Sequence, residues 1–397
     1  MSAEPLFRRS ERTAALAISE IVQLSELAAE LRRGGRDIIS LTTGEPDFPT
    51  PGFVIEAAHA AALNGQTRYT PTAGEPALRD AIAAESGVAR EQVIVSNGAK
   101  QVLANAFFAS LNEGDEVVMA APYWTTYVDM VQLAGGRPVL MPCDDTSGFK
   151  LTAERLRESL TTRTRWLLLN SPSNPTGAVY SAAEYRALAT VLAEFPDVWV
   201  MADEIYEHLC YVPFTSFSAA VPELRNRTLI INGVSKAWSM TGWRIGWGVG
   251  PAPLIAAMAA VQGQVTSGAC SIAQAAALAA LQGDRDLLDE RRASLLARRD
   301  RLVAGLNALP GLACRAPDGA FYVFADLQGA IKQGDFTDDV AFCAWLLDTC
   351  GVAIVPGRAF GVSGHARLAF AYADTLLDQV VDKIAAALGS IRSANTN

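Results

Sequence analysis

Between residues 90 and 250 seven short apolar runs recur: Val93–Val95, Glu116–Met119, Pro138–Met141, Trp166–Leu169, Val198–Met201, Leu229–Ile231 and Arg244–Val249. Segments with helical apolar spacing, such as Gln101–Leu111 and Ala182–Phe195, separate several of them. Buried strands that alternate with helices imply an α/β fold, with a largely parallel seven-stranded sheet between two helical layers.

The flanks follow other patterns. Residues 19–33 read as a helix: Ser19 can cap it, Ile21, Leu24, Ala28 and Leu31 share a face, and Gly34-Gly35 stop it. L-T-T-G-E-P-D-F-P-T-P then makes an irregular turn. A long amphipathic helix is expected over 284–308, ended by Pro310-Gly311. Beyond it come strands near Phe321–Ala325, Ala353–Val355 and Ala366–Phe370 and a final helix from Leu376 to Leu388. The expected division is a large domain, 45–285, and a smaller α+β domain built from 1–44 and 286–397.

Composition narrows the function classes. With 397 residues, half of them hydrophobic, the chain can bury one large core or two. Its net charge is −9 and no basic stripe interleaves with aromatics, which argues against a nucleic-acid groove. The six cysteines form no C-x-x-C pair, and the three histidines, His59, His208 and His365, are far apart, a thin supply for a metal site. No window approaches a membrane span, and the apolar run A-A-L-A-I is too short for a signal peptide core. The expectation is a soluble cytoplasmic protein.

Lysine is scarce: Lys100, Lys150, Lys236, Lys332 and Lys383 stand against 28 arginines. Yet Lys236 sits in I-I-N-G-V-S-K-A-W-S-M-T-G-W-R-I-G-W-G, between an apolar strand and an aromatic turn. Other unusual residues also fall just after expected strands. The N-G-A-K turn with Gly98, Ala99 and Lys100 opens a helix, whose free N–H groups suit a phosphate or merely a glycine cap. Asn170 and S-P-S-N-P-T-G follow Trp166–Leu169. Asp203 ends V-W-V-M-A-D, with Tyr206 three residues on. In open α/β sheets ligands bind at the carboxyl ends of strands, so these residues converge on one crevice.

Each has an ordinary alternative. Lys236 could lay its stem on tryptophans and reach water, Asp203 could cap a helix, and Trp124 could be a plain core or surface aromatic. Together they match one cofactor's needs. Ser235 and Arg244 add donors for a phosphate, Asp203 can hold a proton on a ring nitrogen, Trp124 can stack on a ring, and a desolvated Lys236 is a nucleophilic amine. That cofactor is pyridoxal 5′-phosphate, an electron sink for carbanions at an amino acid Cα.

The chain resembles class I/II aminotransferases of PLP fold type I, in the bacterial aspartate aminotransferase branch. The resemblance runs over about residues 15–390, through G-E-P-D-F-P-T-P, Y-T-P-T-A-G, N-G-A-K-Q, P-Y-W, N-P-T-G, D-E-I-Y, S-K-A-W-S-M-T-G-W-R-I-G and H-A-R-L-A-F. It implies that Lys236 forms the Schiff base and then shuttles the proton. Asp203 pairs with the pyridinium nitrogen, Tyr206 bonds the ring O3′ and Trp124 stacks on the ring. Gly98, Ala99, Ser235 and Arg244 hold the phosphate, and Tyr69 reaches the phosphate of a neighbouring subunit in a homodimer. Arg367 clamps the substrate α-carboxylate, helped by the backbone of Gly44 and by Asn174, which also bonds the ring O3′. The implied reaction moves an amino group from an L-amino acid to a 2-oxo acid such as 2-oxoglutarate.

In that branch a lysine at the position of Lys100 accompanies dicarboxylic donors, which favours aspartate or glutamate; a solvent-facing lysine is the alternative. Ile21 stands where close aspartate enzymes often carry threonine, and Gly268 where many relatives have asparagine or proline. These departures leave room for aromatic or other neutral donors. A β-lyase of the same fold shares the lysine, aspartate and arginine. A cofactor-binding regulator fused to a DNA-binding domain fits poorly, since only about 15 residues precede the resemblance.

Overall fold

The computed structural model describes residues 7–14 and 16–395; residues 1–6, 15, 396 and 397, including part of the A-A-L-A-I run, lie outside the described residues. The strands are β1 (Ile39–Ser40), β2 (Val93–Asn97), β3 (Glu116–Ala121), β4 (Arg137–Pro142), β5 (Thr164–Asn170), β6 (Trp199–Asp203), β7 (Thr228–Gly233), β8 (Ile245–Val249), β9 (Tyr322–Asp326), β10 (Val352–Ala353), β11 (Val355–Pro356) and β12 (His365–Ala369).

All seven expected apolar runs are strands of one sheet, in the order β2-β8-β7-β6-β5-β3-β4. The pairs from β4 through β7 are parallel, and β8 runs antiparallel to both its neighbours. Side chains alternate between the two helical layers. In β6, Val200 and Ala202 join the core against the helices Ala153–Ser159 and Ala182–Leu192, while Met201 joins the core on the opposite face with Phe107, Trp166 and Met258. Edge strand β4 is half exposed and carries Pro138 and Pro142, which an edge tolerates. Chain order reverses between β3 and β5: β4 lies to one side, β6 and β7 to the other. Such a switch opens a crevice beyond the strand ends.

The rest of the chain builds a second core. Helix Asp286–Asn307 buries Leu288, Leu295, Leu302 and Leu306, leaves Leu287, Leu296 and Val303 of its apolar face half-buried, and ends within two residues of the expected limits. It packs with the helices Asp339–Cys350 and Asp374–Asn395 around the antiparallel sheet β11-β12-β9. The final helix is longer than expected at both ends. The expected strand at 353–355 is two strands in different sheets. Ser40 pairs with Ala353 in the parallel pair β1-β10, and Val355 pairs with Arg367 in β12. Two partners on different sides demand a break at Ile354, which an apolar run cannot reveal. Helix Glu20–Arg33 begins at Ser19, whose side chain accepts from Val22 N, as read from sequence. Through β1 the N-terminal segment joins the C-terminal part. No helix among the described residues is long and apolar enough to cross a membrane.

Candidate active site

A cavity of about 290 Å³ opens where the strand order reverses. Lys236, Asp203, Tyr206, Asn174, Trp124, Ala99, Lys100, Ser235, Arg244, Gly44 and Arg367, all picked out above, line it. Lys236 follows β7 at the deep end. Its Nζ donates to Gly44 O at 2.6 Å, and desolvation pushes its pKa down to about 8, with Arg367 and Arg244 adding to the fall. The turn that carries it is pinned. Thr50 Oγ1 donates to Ser239 O at 2.8 Å and accepts from Trp243 Nε1 at 3.1 Å. Trp238 and Trp247 are buried beneath, so these tryptophans pack. Ser239 and Arg244 take left-handed backbone conformations (φ 54° and 57°), a strain that tertiary contacts must hold.

Asp203 ends β6 and is 3% exposed. Burial raises its pKa to about 6 against the opposing pull of Tyr127, the Ile205 amide and Lys236. It is therefore ionised at neutral pH and can meet a cationic partner. Tyr206 is buried, and its hydroxyl lies 2.9 Å from that of Tyr322. Trp124, just past β3, has Lys100 Nζ 4.9 Å above its ring.

At another wall the first turn of helix Ala99–Ser110 presents its N–H groups. Its cap, Gly98, has φ 80° and offers no side-chain bond. A Cβ there would come within 2.6 Å of the Arg244 guanidinium. A Cβ on Gly246 of β8 would strike Ala99 N at 2.2 Å, so both glycines are needed for the helix start to approach the sheet and Arg244. Ala99, Ser235 and Arg244 thus converge on a positive pocket.

Opposite stands Arg367, in β12 and 1% exposed. Nη1 donates to Asn174 Oδ1 at 3.0 Å, and Nη2 donates to Thr42 O. Its guanidinium lies between the rings of Tyr322 and Phe360, at 4.5 and 5.0 Å. Nε has no partner. A buried, held guanidinium with an unspent donor can pair with a carboxylate.

Tyr69 is not brought in: it is 95% exposed and borders a separate hollow near Ser267. Gly98 lies behind the wall without lining it. Sequence reasoning missed Tyr127 and Tyr322. Tyr127 carried a faint signal, an aromatic one helical turn after Trp124. Tyr322, in F-Y-V-F, reads as an ordinary strand residue.

The fold and this site define an aminotransferase. The family profile for aminotransferase class I and II matches residues 36–384, and the chain belongs to that family. It is 49% identical over 394 residues to the aspartate aminotransferase of Rhizobium meliloti (strain 1021), covering 96% of each chain. It is 46% identical to the aspartate/prephenate aminotransferase of Cereibacter sphaeroides, over 95% of this chain and 98% of that one. The crystal structure of the Rhizobium meliloti aspartate aminotransferase superposes with a TM-score of 0.92 at 47% identity, covering 96% and 99% of the two chains. The Thermus thermophilus aspartate aminotransferase with maleate gives 0.91 at 42%, covering 96% and 100%.

Proposed function

We propose that the chain is a pyridoxal 5′-phosphate-dependent transaminase that takes aspartate or glutamate as donor and a 2-oxo acid such as 2-oxoglutarate as acceptor. The observation that carries this reading is Lys236: a desolvated amine in one cavity with the Asp203 carboxylate, the helix start at Ala99 and the Arg367 guanidinium. The donor set fits the cofactor. Orphan helix N–H groups, Ser235 and Arg244 suit its phosphate, and an ionised Asp203 suits its ring nitrogen.

When bound, the cofactor supplies an aldehyde carbon for an amine and a protonated ring that draws electrons from the amino acid Cα. Lys236 supplies the amine. With its pKa near 8, an appreciable fraction is uncharged at neutral pH, first as nucleophile and then as the base that takes the Cα proton. Asp203 keeps the ring nitrogen protonated, and Tyr206 donates to the ring oxygen. Arg367 and Asn174 hold the α-carboxylate, and the Tyr322 and Phe360 rings keep water from the guanidinium. Lys100, at the cavity wall, takes the distal carboxylate of a dicarboxylic donor.

The residue assignments, like the division into 45–285 and the two end segments, belong to this reading. So does a homodimer in which Tyr69 reaches its neighbour's site; exposed Tyr69, Leu63 and Val265 support such an interface. The names of the relatives support the dicarboxylic donor and add prephenate as an acceptor to try. The test is a panel of amino donors against 2-oxoglutarate, oxaloacetate, pyruvate and prephenate. Aspartate or glutamate should convert the visible cofactor band to the amine form; if neither does, the acidic-substrate reading fails. Ammonia and pyruvate release without a keto acid points instead to the lyase.

A further inference from the structure

Tyr127 is a buried group to which the reaction gives no part. It lies in the first turn of helix Thr126–Leu133 and is 1% exposed. Its hydroxyl donates a 2.6 Å hydrogen bond to Asp203 Oδ2, while Oδ1 accepts from Ile205 N at 3.3 Å. Its ring stands edge-on to Trp124, with centroids 5.3 Å apart and planes at 88°. One phenol thus touches a carboxylate at the end of β6 and an indole just past β3, the groups on either side of the reversal in strand order. Burial and the adjoining carboxylate raise the phenol's own pKa, so it stays a donor over the working range. The other titratable groups acting on Asp203 and its surroundings are Lys236, Tyr206 and Glu204. None of them has a hydrogen bond to its carboxylate oxygens in this structure.

We propose that Tyr127 is a positioning residue that sets how firmly Asp203 keeps a proton on the cofactor's ring nitrogen, and that it fixes the plane of Trp124 beside that ring. The proposal rests on the cofactor reading above and deepens it. A donor to the ionised carboxylate stabilises that form. With the donor present, the shared proton stays on the ring nitrogen. Without it, Asp203 becomes more basic and draws the proton toward itself. The ring then carries less positive charge, and the nitrogen that links it to Lys236 becomes more basic.

The test is a pH titration of the visible absorption of the cofactor-loaded enzyme. Tyr127→Phe keeps the ring and removes the donor. The band's pK should rise by about half a unit or more, roughly a threefold gain in proton affinity, given the strength of hydrogen bonds to charged groups. Visible circular dichroism should persist in Tyr127→Phe and collapse in Tyr127→Leu, which also loses the edge contact. A loaded Tyr127→Phe whose band titrates as in the parent overturns the inference and leaves the cofactor reading standing. A parent protein that gives no pH-dependent visible band with pyridoxal 5′-phosphate overturns that reading itself. If Tyr127→Phe does not fold, 3-fluorotyrosine placed at position 127 strengthens the donated bond. The pK must then fall, and an unmoved pK overturns the inference equally.

Discussion

At one end of the crevice the polar groups sit at strand ends: Asp203 closes β6, Lys236 follows β7 by three residues, and Ala99 follows β2 by two. At the other end Arg367 is held by Thr42, 325 positions away, and by Asn174, 193 away. Each group of the first end extends a strand of the seven-stranded sheet, and the turn beyond Lys236 is then pinned by a distant contact from Thr50. The second exists only when the N-terminal segment, the N-P-T-G turn and β12 meet. The sheet end, on the reading above, serves the cofactor, and the assembled end serves the substrate.

The harshest test of the sheet end is Lys236→Arg. Turnover should fall by at least about 10³-fold, since nucleophile and base are both lost, with circular dichroism unchanged. Substantial transamination by this variant would falsify the assignment. Next comes a paired test of the contrast itself. Asp203→Ala should lower the rate by about 10²-fold or more and loosen the cofactor. Arg367→Lys should lower kcat/KM by about 10²-fold, mostly through KM, and leave cofactor retention unchanged. Cofactor loss from Arg367→Lys as severe as from Asp203→Ala would mean that the two ends are not separate.

A smaller effect is expected at Lys100. Lys100→Ala should cost dicarboxylic donors about tenfold in kcat/KM and leave alanine or phenylalanine unaffected. An equal loss for all donors would return Lys100 to a structural role.

The smallest effect concerns pH. In the folded chain Lys236 titrates near 8, below its ordinary 10.5, because burial disfavours its charge. Between those values the unfolded chain binds more protons, so this group makes stability rise with pH; below 8 its full cost is present. Cofactor-free Lys236→Met should therefore melt about 2–5 °C higher than the parent at pH 7, a gap that closes toward pH 10.5. No gap at pH 7 would show that Glu45 offsets the charge.

Much was legible in the sequence. Seven apolar runs dictated the sheet, because a strand covered on both faces must be apolar throughout. The residues just beyond them fell at its carboxyl edge, and Ser19 marked a helix start because the capping bond is local. The tertiary structure decided what depends on neighbours remote in sequence. It split 352–356 between two sheets, set Tyr322 and Phe360 about Arg367, and put Tyr127 on Asp203. It also decided the surroundings of Lys236: among tryptophans in sequence it could have reached water, but packed beneath the crevice it loses hydration, and burial disfavours its charge. Local pattern fixes which face of an element is buried; which partners meet across that face is a property of the closed fold alone.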